Sequence, residues 1–118
     1  IKKGIGGLKK LISLKKNNFS TALMIDQRVS EGILSNLFNQ QALTTTIPAQ
    51  LAKKFNVPVV PVYIERIKDL NFKIYIHDPI NFGENDTIDD ITDKLNKILG
   101  TMILKKPEQW IWSHNRWK

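Results

Sequence analysis

The sequence predicts an α/β fold in which a mixed β-sheet is flanked by helices. Residues 87–104 carry apolar side chains at helical spacing, whereas residues 57–64 form an almost continuous apolar run of strand length. A second short apolar run covers residues 21–25. The length of 118 residues, with 42% hydrophobic and 25% charged residues, suits one domain with a real core, and we expect residues 1–118 to form that domain.

The excess positive charge lies in the first half of the chain. Residues 1–60 hold nine Lys and Arg against two acids, while residues 61–118 hold nine of each sign. This asymmetry favours an anionic partner, which could be nucleic acid, a phospholipid surface or an acidic carrier protein. No apolar run is long enough to cross a membrane, and nothing resembles a cleavable signal peptide.

Several kinds of chemistry are excluded by composition. The chain has no cysteine, so thiol nucleophiles, disulfides and zinc-thiolate sites are ruled out. His77 and His114 are the two histidines, and they stand far apart without metal-ligand spacing. We therefore expect neither a metal site nor a cofactor.

The first element is predicted to be a short basic amphipathic helix over residues 4–16. Its apolar side chains recur at helical spacing, and lysines occupy the remaining arc. Gly6 and Gly7 weaken the first turn. The lysines are either simply solvated or face anionic lipid.

The pivot of the sequence is Asp26-Gln27-Arg28. It directly follows the apolar run 21–25, predicted to be a strand, and a buried strand cannot hold such residues in its interior. The polar cluster is therefore placed at the carboxyl end of that strand, which is where open α/β sheets bind ligands. A solvated turn would look the same in this pattern.

Residues 32–41 are predicted to be a loop or short hairpin, with a turn at residues 39–41. Thr44, Thr45 and Thr46 then offer helix N-caps, Pro48 suits a first helical turn, and the helix continues to about Asn56. The free amides of this helix could bind an anion, but capping alone accounts for the threonines.

The run 57–64 predicts a strand that is covered on both faces, with Pro58 at its start and Pro61 at an edge or bulge. Glu65 and Arg66 would then follow at its far end. A tight turn at residues 68–71 leads into residues 72–77, whose alternation predicts a hairpin with one wet face carrying the polar side chains. His77, on that wet face, is expected to be exposed.

The helix over residues 87–104 is predicted to pack its apolar stripe in the core, with aspartates at its start, lysines at its end and Pro107 stopping it. Residues 107–118 then gather Trp110, Trp112 and Trp117. These tryptophans fit a nucleic-acid stacking platform, a membrane-interface belt or a rigid lid. As structure, the pattern predicts a short helix with at least one buried tryptophan.

Four pieces of the chain resemble one family. They are Asp26-Gln27, the segment Gly32–Phe38 leading into Ala42–Thr44, the string Pro58–Val62, and the closing Pro107–Lys118, PEQWIWSHNRWK, which is the most specific. In order and spacing they resemble the lipid A biosynthesis acyltransferases, bacterial lauroyl and myristoyl transferases of the lysophospholipid acyltransferase superfamily.

The resemblance implies an enzyme of the bacterial inner membrane, at its cytoplasmic face, that moves a fatty acyl chain from acyl carrier protein to a hydroxyl of a lipid A precursor. In that family a His-x4-Asp/Glu motif supplies the general base. His77 is followed five residues on by Phe82, and His114 has no residue at that spacing. We therefore expect the base to lie upstream of Ile1 and this chain to be the C-terminal part of an acyltransferase domain, inactive alone.

The resemblance also implies a substrate site. Asp26 and Gln27 match the Asp-Gln of the family, and Arg28, Glu31 and Arg66 are nearby candidates for the phosphates and sugar of the acceptor. The sequence departs from the family pattern at Ser35-Asn36 and at Asn39, where glycine is usual. Asn39 tolerates a left-handed backbone, so the turn can be kept there.

Other functions remain open at this point. A different acceptor, a lysophospholipid or another glycolipid, would need only different pocket residues. A basic nucleic-acid-binding module is the alternative of another class, but the basic residues and the tryptophans lie in opposite halves and no nucleic-acid motif is present, so no nucleic acid is expected. A purely structural membrane-associated domain is a third possibility.

Overall fold

The computed structural model describes residues 5–117, apart from the side chains of Ile5 and Leu8. The α/β class is confirmed, because within these residues three helices accompany two small antiparallel sheets, which stand in place of the single mixed sheet that the sequence predicts. In chain order, the elements are α1 (Ile5–Lys16), β1 (Ile33–Leu37), β2 (Gln40–Thr44), α2 (Ile47–Phe55), β3 (Val62–Lys68), β4 (Asn71–Ile76), α3 (Ile88–Ile103) and two 3₁₀ turns (Pro107–Gln109 and Trp112–His114).

The first helix lies where the basic amphipathic pattern predicted it. Leu11, Ile12 and Leu14 of α1 are partly buried, while most of its described lysines are exposed. The predicted start at Gly4, like residues 1–3, lies outside the described residues. Within 5–117, no helix is both apolar enough and long enough to cross a bilayer.

The hairpin of β1 and β2 is one of the two alternatives predicted for residues 32–41. Its strands pair antiparallel from Ile33 opposite Thr44 to Leu37 opposite Gln40. The loop is Phe38-Asn39, and both residues have a positive φ, 55° and 62°, as a two-residue turn of the favoured hand requires. The predicted turn at residues 39–41 is therefore wrong by one position, although Asn39 does adopt the left-handed backbone.

The core lies where α3 packs against α2 and β1. Ala49, Ile91 and Leu95 are at its centre, so the predicted core stripe of α3 is confirmed. Thr87 caps this helix through a capping box, in which its side chain accepts from the Asp90 N–H and the Asp90 side chain accepts from the Thr87 N–H.

Helix α2 also begins and ends as predicted. Thr46 is the N-cap residue, but its side chain makes no capping hydrogen bond, and the hydroxyl of Thr45 accepts the Ile47 N–H at 3.3 Å instead. Asn56 terminates the helix in a left-handed conformation. Capping by side chains therefore explains the threonines only in part.

The predicted strand at residues 21–25 is wrong. This segment is irregular, and no described strand pairs with it. An apolar run becomes a strand only where a neighbour offers backbone partners. Ala22, Leu23 and Met24 are exposed, whereas Ile25 packs against the core. The pivot therefore follows an anchored irregular segment.

The predicted strand at residues 57–64 is present only from residue 62 onward, and it is not covered on both faces. Val59 makes a single bridge to Ile80, and β3 begins only at Val62, because Pro58 and Pro61 cannot donate to a ladder. Glu65 and Arg66 lie inside β3 rather than beyond its end.

Strands β3 and β4 form the predicted hairpin, but the assignment of its faces was wrong. The apolar residues Phe72, Ile74 and Ile76 are exposed, while Tyr75 and His77 are partly buried. The reason is that the polar face packs on the residues that follow α3. There Lys105 lies over the rings of Tyr63 and Tyr75, and the Lys106 Nζ is 3.6 Å from the carboxylate of Glu65.

Candidate functional site

The pivot loop, Asp26-Gln27-Arg28, is held by the C-terminal segment, residues 107–117. The backbone N–H of Arg28 donates to Nε2 of His114 at 3.0 Å. Asp26 is partly buried, whereas the side chains of Gln27 and Arg28 are exposed. An acid, an amide and a cation are therefore presented together on a backbone that is fixed from the other end of the chain.

Arg116 is the largest of the fully buried side chains in the described part of the chain, with 1% of its surface exposed. One terminal nitrogen donates to the backbone oxygen of Leu43 and the other to the hydroxyl of Thr44 at 2.9 Å. Burial lowers the pKa of its guanidinium, while the negative charge of Asp26 acts in the opposite direction. Arg116 thus attaches the C-terminal segment to β2.

A buried chain of polar side chains continues from Arg116 through the domain. Nδ2 of Asn96 donates to the hydroxyls of Ser35 and Thr44 at 2.8 and 3.0 Å, and Ser35 donates to the Asp93 carboxylate at 2.5 Å. Ser35, Thr44 and Asn96 are each at most 2% exposed. Burying a polar group is costly unless it is hydrogen-bonded, so this set of hydrogen-bonded side chains fixes α3, β1, β2 and the C-terminal segment relative to one another.

The tryptophans form a cluster around Phe38, at the turn of the first hairpin. The ring of Trp112 stacks on Phe38 at 5.9 Å, and Trp110 and Trp117 each lie 6.3 Å from it. Nε1 of Trp117 donates to the Leu37 oxygen at 3.3 Å. The tryptophan rings therefore pack on the turn of the first hairpin and on one another.

The structure of this segment corrects two details of the prediction. Instead of one short helix, residues 107–114 form two 3₁₀ turns. Trp110 and Trp117 are only partly buried and Trp112 is 47% exposed, so the prediction of a buried tryptophan is wrong and Arg116 fills that place. A cation is buried here because β2 offers it a carbonyl and a hydroxyl.

Two of the predicted site residues lie apart from the pivot loop. Arg66 lies in β3, where its backbone N–H and oxygen bond the side-chain amide of Gln109 at 2.9 Å, and its guanidinium lies 4.9 Å from the Phe72 ring. Glu31 is exposed just before β1. Among residues 5–117, no hydrogen bond or ion pair joins Arg66 or Glu31 to the pivot loop.

Sequence reasoning missed Ser35, Thr44, Asn96 and Arg116. A signal for Asn96 was present, because Thr92, Asn96 and Gly100 follow one another at four-residue spacing along one side of α3, next to its apolar stripe. Arg116 gave no such signal, since an arginine near tryptophans suggests an exposed cation. His77, expected to be exposed, is partly buried, and its Nε2 has no partner among the described residues.

Two other features of the described residues were considered as functional sites, a groove beside α2 and a metal-binding cluster. A groove between α2 and residues 81–84 is bridged by Lys53, whose Nζ donates to the backbone oxygens of Glu84 and Asp86. No three acidic, histidine or cysteine side chains in the described part of the chain lie close enough together to hold a metal ion. The pivot loop with its C-terminal support is therefore the candidate site.

Comparison with known proteins identifies the family. The model of the family described as bacterial lipid A biosynthesis acyltransferase matches residues 2–118 of the chain. The chain belongs to this family. No match was found among curated proteins.

Membership defines the chemistry in general terms. The lipid A biosynthesis acyltransferases transfer an acyl group from a donor to a lipid A precursor, so the protein is a bacterial transferase of lipopolysaccharide synthesis. The match runs through both the pivot loop and the closing PEQWIWSHNRWK string. In this acyltransferase the two segments are joined by the hydrogen bond from the Arg28 N–H to His114.

Proposed function

We propose that this chain forms the acceptor-binding and scaffold part of a lipid A acyltransferase that takes its fatty acyl chain from acyl carrier protein. The observation that carries this proposal is the attachment of the pivot loop to the C-terminal segment through His114. A loop held in this way presents its polar side chains to a substrate with little ordering cost.

The side chains of the loop suit a phosphorylated sugar lipid. The exposed guanidinium of Arg28 can take a phosphate through two parallel hydrogen bonds. The Asp26 carboxylate accepts from a sugar hydroxyl, and the Gln27 amide both donates and accepts. Glu31 and Arg66 are proposed as outer contacts for the acceptor, with Arg66 reaching it from the β3–β4 hairpin.

The general base is proposed to come from outside these 118 residues. It removes the proton of the acceptor hydroxyl while the oxygen attacks the thioester carbonyl, and the carrier thiolate leaves and takes up a proton. His114 is unsuited to this role because its Nε2 is occupied by the Arg28 N–H. His77 lacks the carboxylate partner of a His-x4-Asp/Glu motif, because Phe82 stands at that position.

The exposed apolar face of the second hairpin supports the proposal that this chain is the C-terminal part of a larger domain. Val62 lies opposite Ile76 and Ile64 opposite Ile74, and all four side chains are more than half exposed. A contiguous apolar sheet face normally packs against further structure. We propose that it packs against the part of the domain that carries the base, so the 118 residues alone have no activity.

Helix α1 is proposed to meet anionic partners. Lys9, Lys10 and Lys16 are exposed, while Leu11 and Leu14 face inward in part. Such a face attracts both the acidic carrier protein and the anionic cytoplasmic surface of the inner membrane. Changing the three lysines to glutamine should raise the KM for the acyl carrier and weaken sedimentation with anionic vesicles. Unchanged behaviour in both assays would contradict this role.

Acceptor kinetics of the full-length protein test the site. Asp26→Asn and Arg28→Gln should each raise the KM for the lipid A precursor by about tenfold, as expected for a lost hydrogen bond to a charged group. Lys54→Gln, which changes an exposed lysine on α2, is the matched control. An unchanged KM in both site variants, with normal unfolding midpoints, would reject the acceptor site.

A lysophospholipid or another glycolipid is the alternative acceptor. Faster acyl transfer to one of these lipids than to the lipid A precursor would favour this alternative.

A nucleic-acid function is disfavoured because Trp110, Trp112 and Trp117 pack on one another and on Phe38. Rings that are occupied in this way form no open stacking platform.

A further inference from the structure

A buried arginine needs an anion, and the contacts of Arg116 with β2 do not supply one. Leu43 contributes a carbonyl oxygen and Thr44 a hydroxyl, both neutral. A guanidinium keeps its charge in proteins, and a buried charge is costly unless it is paired and hydrogen-bonded. Some group must therefore offset the charge of Arg116.

The guanidinium also has a donor left over. Its Nε is buried and has no hydrogen-bond partner among the described residues. The two terminal nitrogens are fixed on adjacent residues of β2, so the plane of the group is set. The free N–H is thus a preoriented donor, which is the condition for holding a carboxylate in one geometry.

Asp26 is the acid whose charge acts on Arg116. It is partly buried and belongs to the loop that His114 anchors only two residues away, at Arg28. Within the described residues the carboxylate is not in ion-pair contact, which would mean 4.0 Å or less. Asp26 lies two residues from one end of the Arg28–His114 hydrogen bond and Arg116 lies two residues from the other end, so this hydrogen bond brings the two side chains into the same region.

We propose that Arg116 is the positioning residue for Asp26: its buried guanidinium attracts the carboxylate, offers it the free Nε–H and so keeps the acid oriented toward the acceptor. The inference rests on the proposed function of the pivot loop, and it assigns Arg116 a role in catalysis without contact to the substrate. The second carboxylate oxygen remains available to the acceptor hydroxyl.

A double-mutant cycle in the full-length protein tests the coupling. Arg116→Gln and Asp26→Asn should each raise the KM for the precursor by about tenfold, a size typical of coupled neighbours, and the double variant should be no worse than either single variant. Effects that multiply in the double variant would show that Arg116 acts independently of Asp26 and would overturn the proposal.

Hydrogen exchange supplies a readout that does not depend on activity. Exchange in residues 20–30 should be faster in Arg116→Gln and Asp26→Asn than in the wild type. Thr44→Val is the control for β2: it removes a neutral partner of Arg116 but leaves the charge, so residues 20–30 should exchange more slowly than in Arg116→Gln. If this control accelerates them as much as Arg116→Gln, the effect travels through β2 and the proposal fails.

The two tests separate this inference from the proposed function. If Asp26→Asn leaves the KM unchanged, the acceptor site is wrong, and the exchange experiment alone decides whether Arg116 positions Asp26. If Asp26→Asn raises the KM but the cycle shows no coupling, the acceptor site stands and only the positioning role is lost.

Discussion

Nε2 of His114 accepts a hydrogen bond from the backbone N–H of Arg28, which lies 86 positions earlier in the chain. The ring can accept there only when Nε2 carries no proton. This hydrogen bond joins residues that are far apart in the sequence. It attaches the closing PEQWIWSHNRWK string to the candidate site.

Replacing His114 by phenylalanine keeps a ring of similar shape and removes the acceptor. We expect the Arg28 amide to exchange faster by about fivefold, because one hydrogen bond contributes about 1 kcal/mol. Exchange measured by NMR or mass spectrometry on the full-length protein checks this. His77→Phe is the control, since Nε2 of His77 has no partner among residues 5–117 and its loss should leave the Arg28 amide unchanged. Equal protection of this amide in His114→Phe would contradict the anchoring role.

The elements that the sequence predicted correctly are those determined by local interactions. Thr87 caps α3 through neighbours three residues away, and the left-handed backbone of Asn39 makes the hairpin turn. By contrast, the runs 21–25 and 57–64 were assigned as strands from composition alone. Whether such a run becomes a strand depends on distant pairing partners, which one sequence does not reveal.

Only part of the candidate site was predictable from the sequence. A cluster of acid, amide and cation after an apolar run is visible in the sequence, so Asp26, Gln27 and Arg28 were found. The residues that hold this loop in place, His114, Arg116 and Asn96, are not predictable from the sequence. Their roles depend on burial and on contacts across more than fifty residues. Arg66 was placed at a strand end by analogy with the pivot, and the structure puts it within a strand instead.

Asn96→Ala should lower the free energy of unfolding by about 1–3 kcal/mol. The substitution removes the donor to both Ser35 and Thr44, and each lost hydrogen bond costs about 0.5–1.5 kcal/mol. Chemical denaturation followed by tryptophan fluorescence checks this. Asn85→Ala, at an exposed position, should change stability by no more than about 0.5 kcal/mol. An effect of Asn96→Ala no larger than that of the control would show that the polar chain contributes nothing to stability.

The capping box of α3 predicts a pH dependence. Hydrogen bonds from the Thr87 hydroxyl and the Thr87 N–H hold the pKa of Asp90 below its ordinary value. A lowered pKa in the folded state means that the stabilisation is present above the unfolded pKa, about 4, and is lost as the pH falls through the folded value.

The stability difference between the wild type and Asp90→Asn should therefore be constant at neutral pH and shrink below about pH 4. Urea titrations at a series of pH values measure it. In a Thr87→Ala background the same substitution should show a weaker pH dependence, because the main hydrogen bond to the carboxylate is gone. A difference that persists unchanged to about pH 3 would contradict the cap as the cause.

Gly32 is the glycine on which the site depends most directly. A Cβ at this position would lie 2.0 Å from the backbone oxygen of Thr44, the residue whose hydroxyl accepts from Arg116. Backbone cannot yield as a side chain does, so Gly32→Ala must displace β1 from β2. We expect a loss of about 1–3 kcal/mol of stability, typical of overpacking, together with a raised KM for the acceptor.

The same substitution at Gly6 is the matched control, because a Cβ there meets nothing within 4 Å and the residue lies in α1. Gly6→Ala should raise stability by about 0.5–1 kcal/mol through the lower helix propensity of glycine. Thermal and chemical unfolding measure both changes in stability. A decrease for Gly32→Ala and an increase for Gly6→Ala would link the loss at position 32 to the close approach of Thr44. If Gly32→Ala unfolds at the wild-type midpoint with unchanged acceptor kinetics, the register of the first hairpin does not control the site.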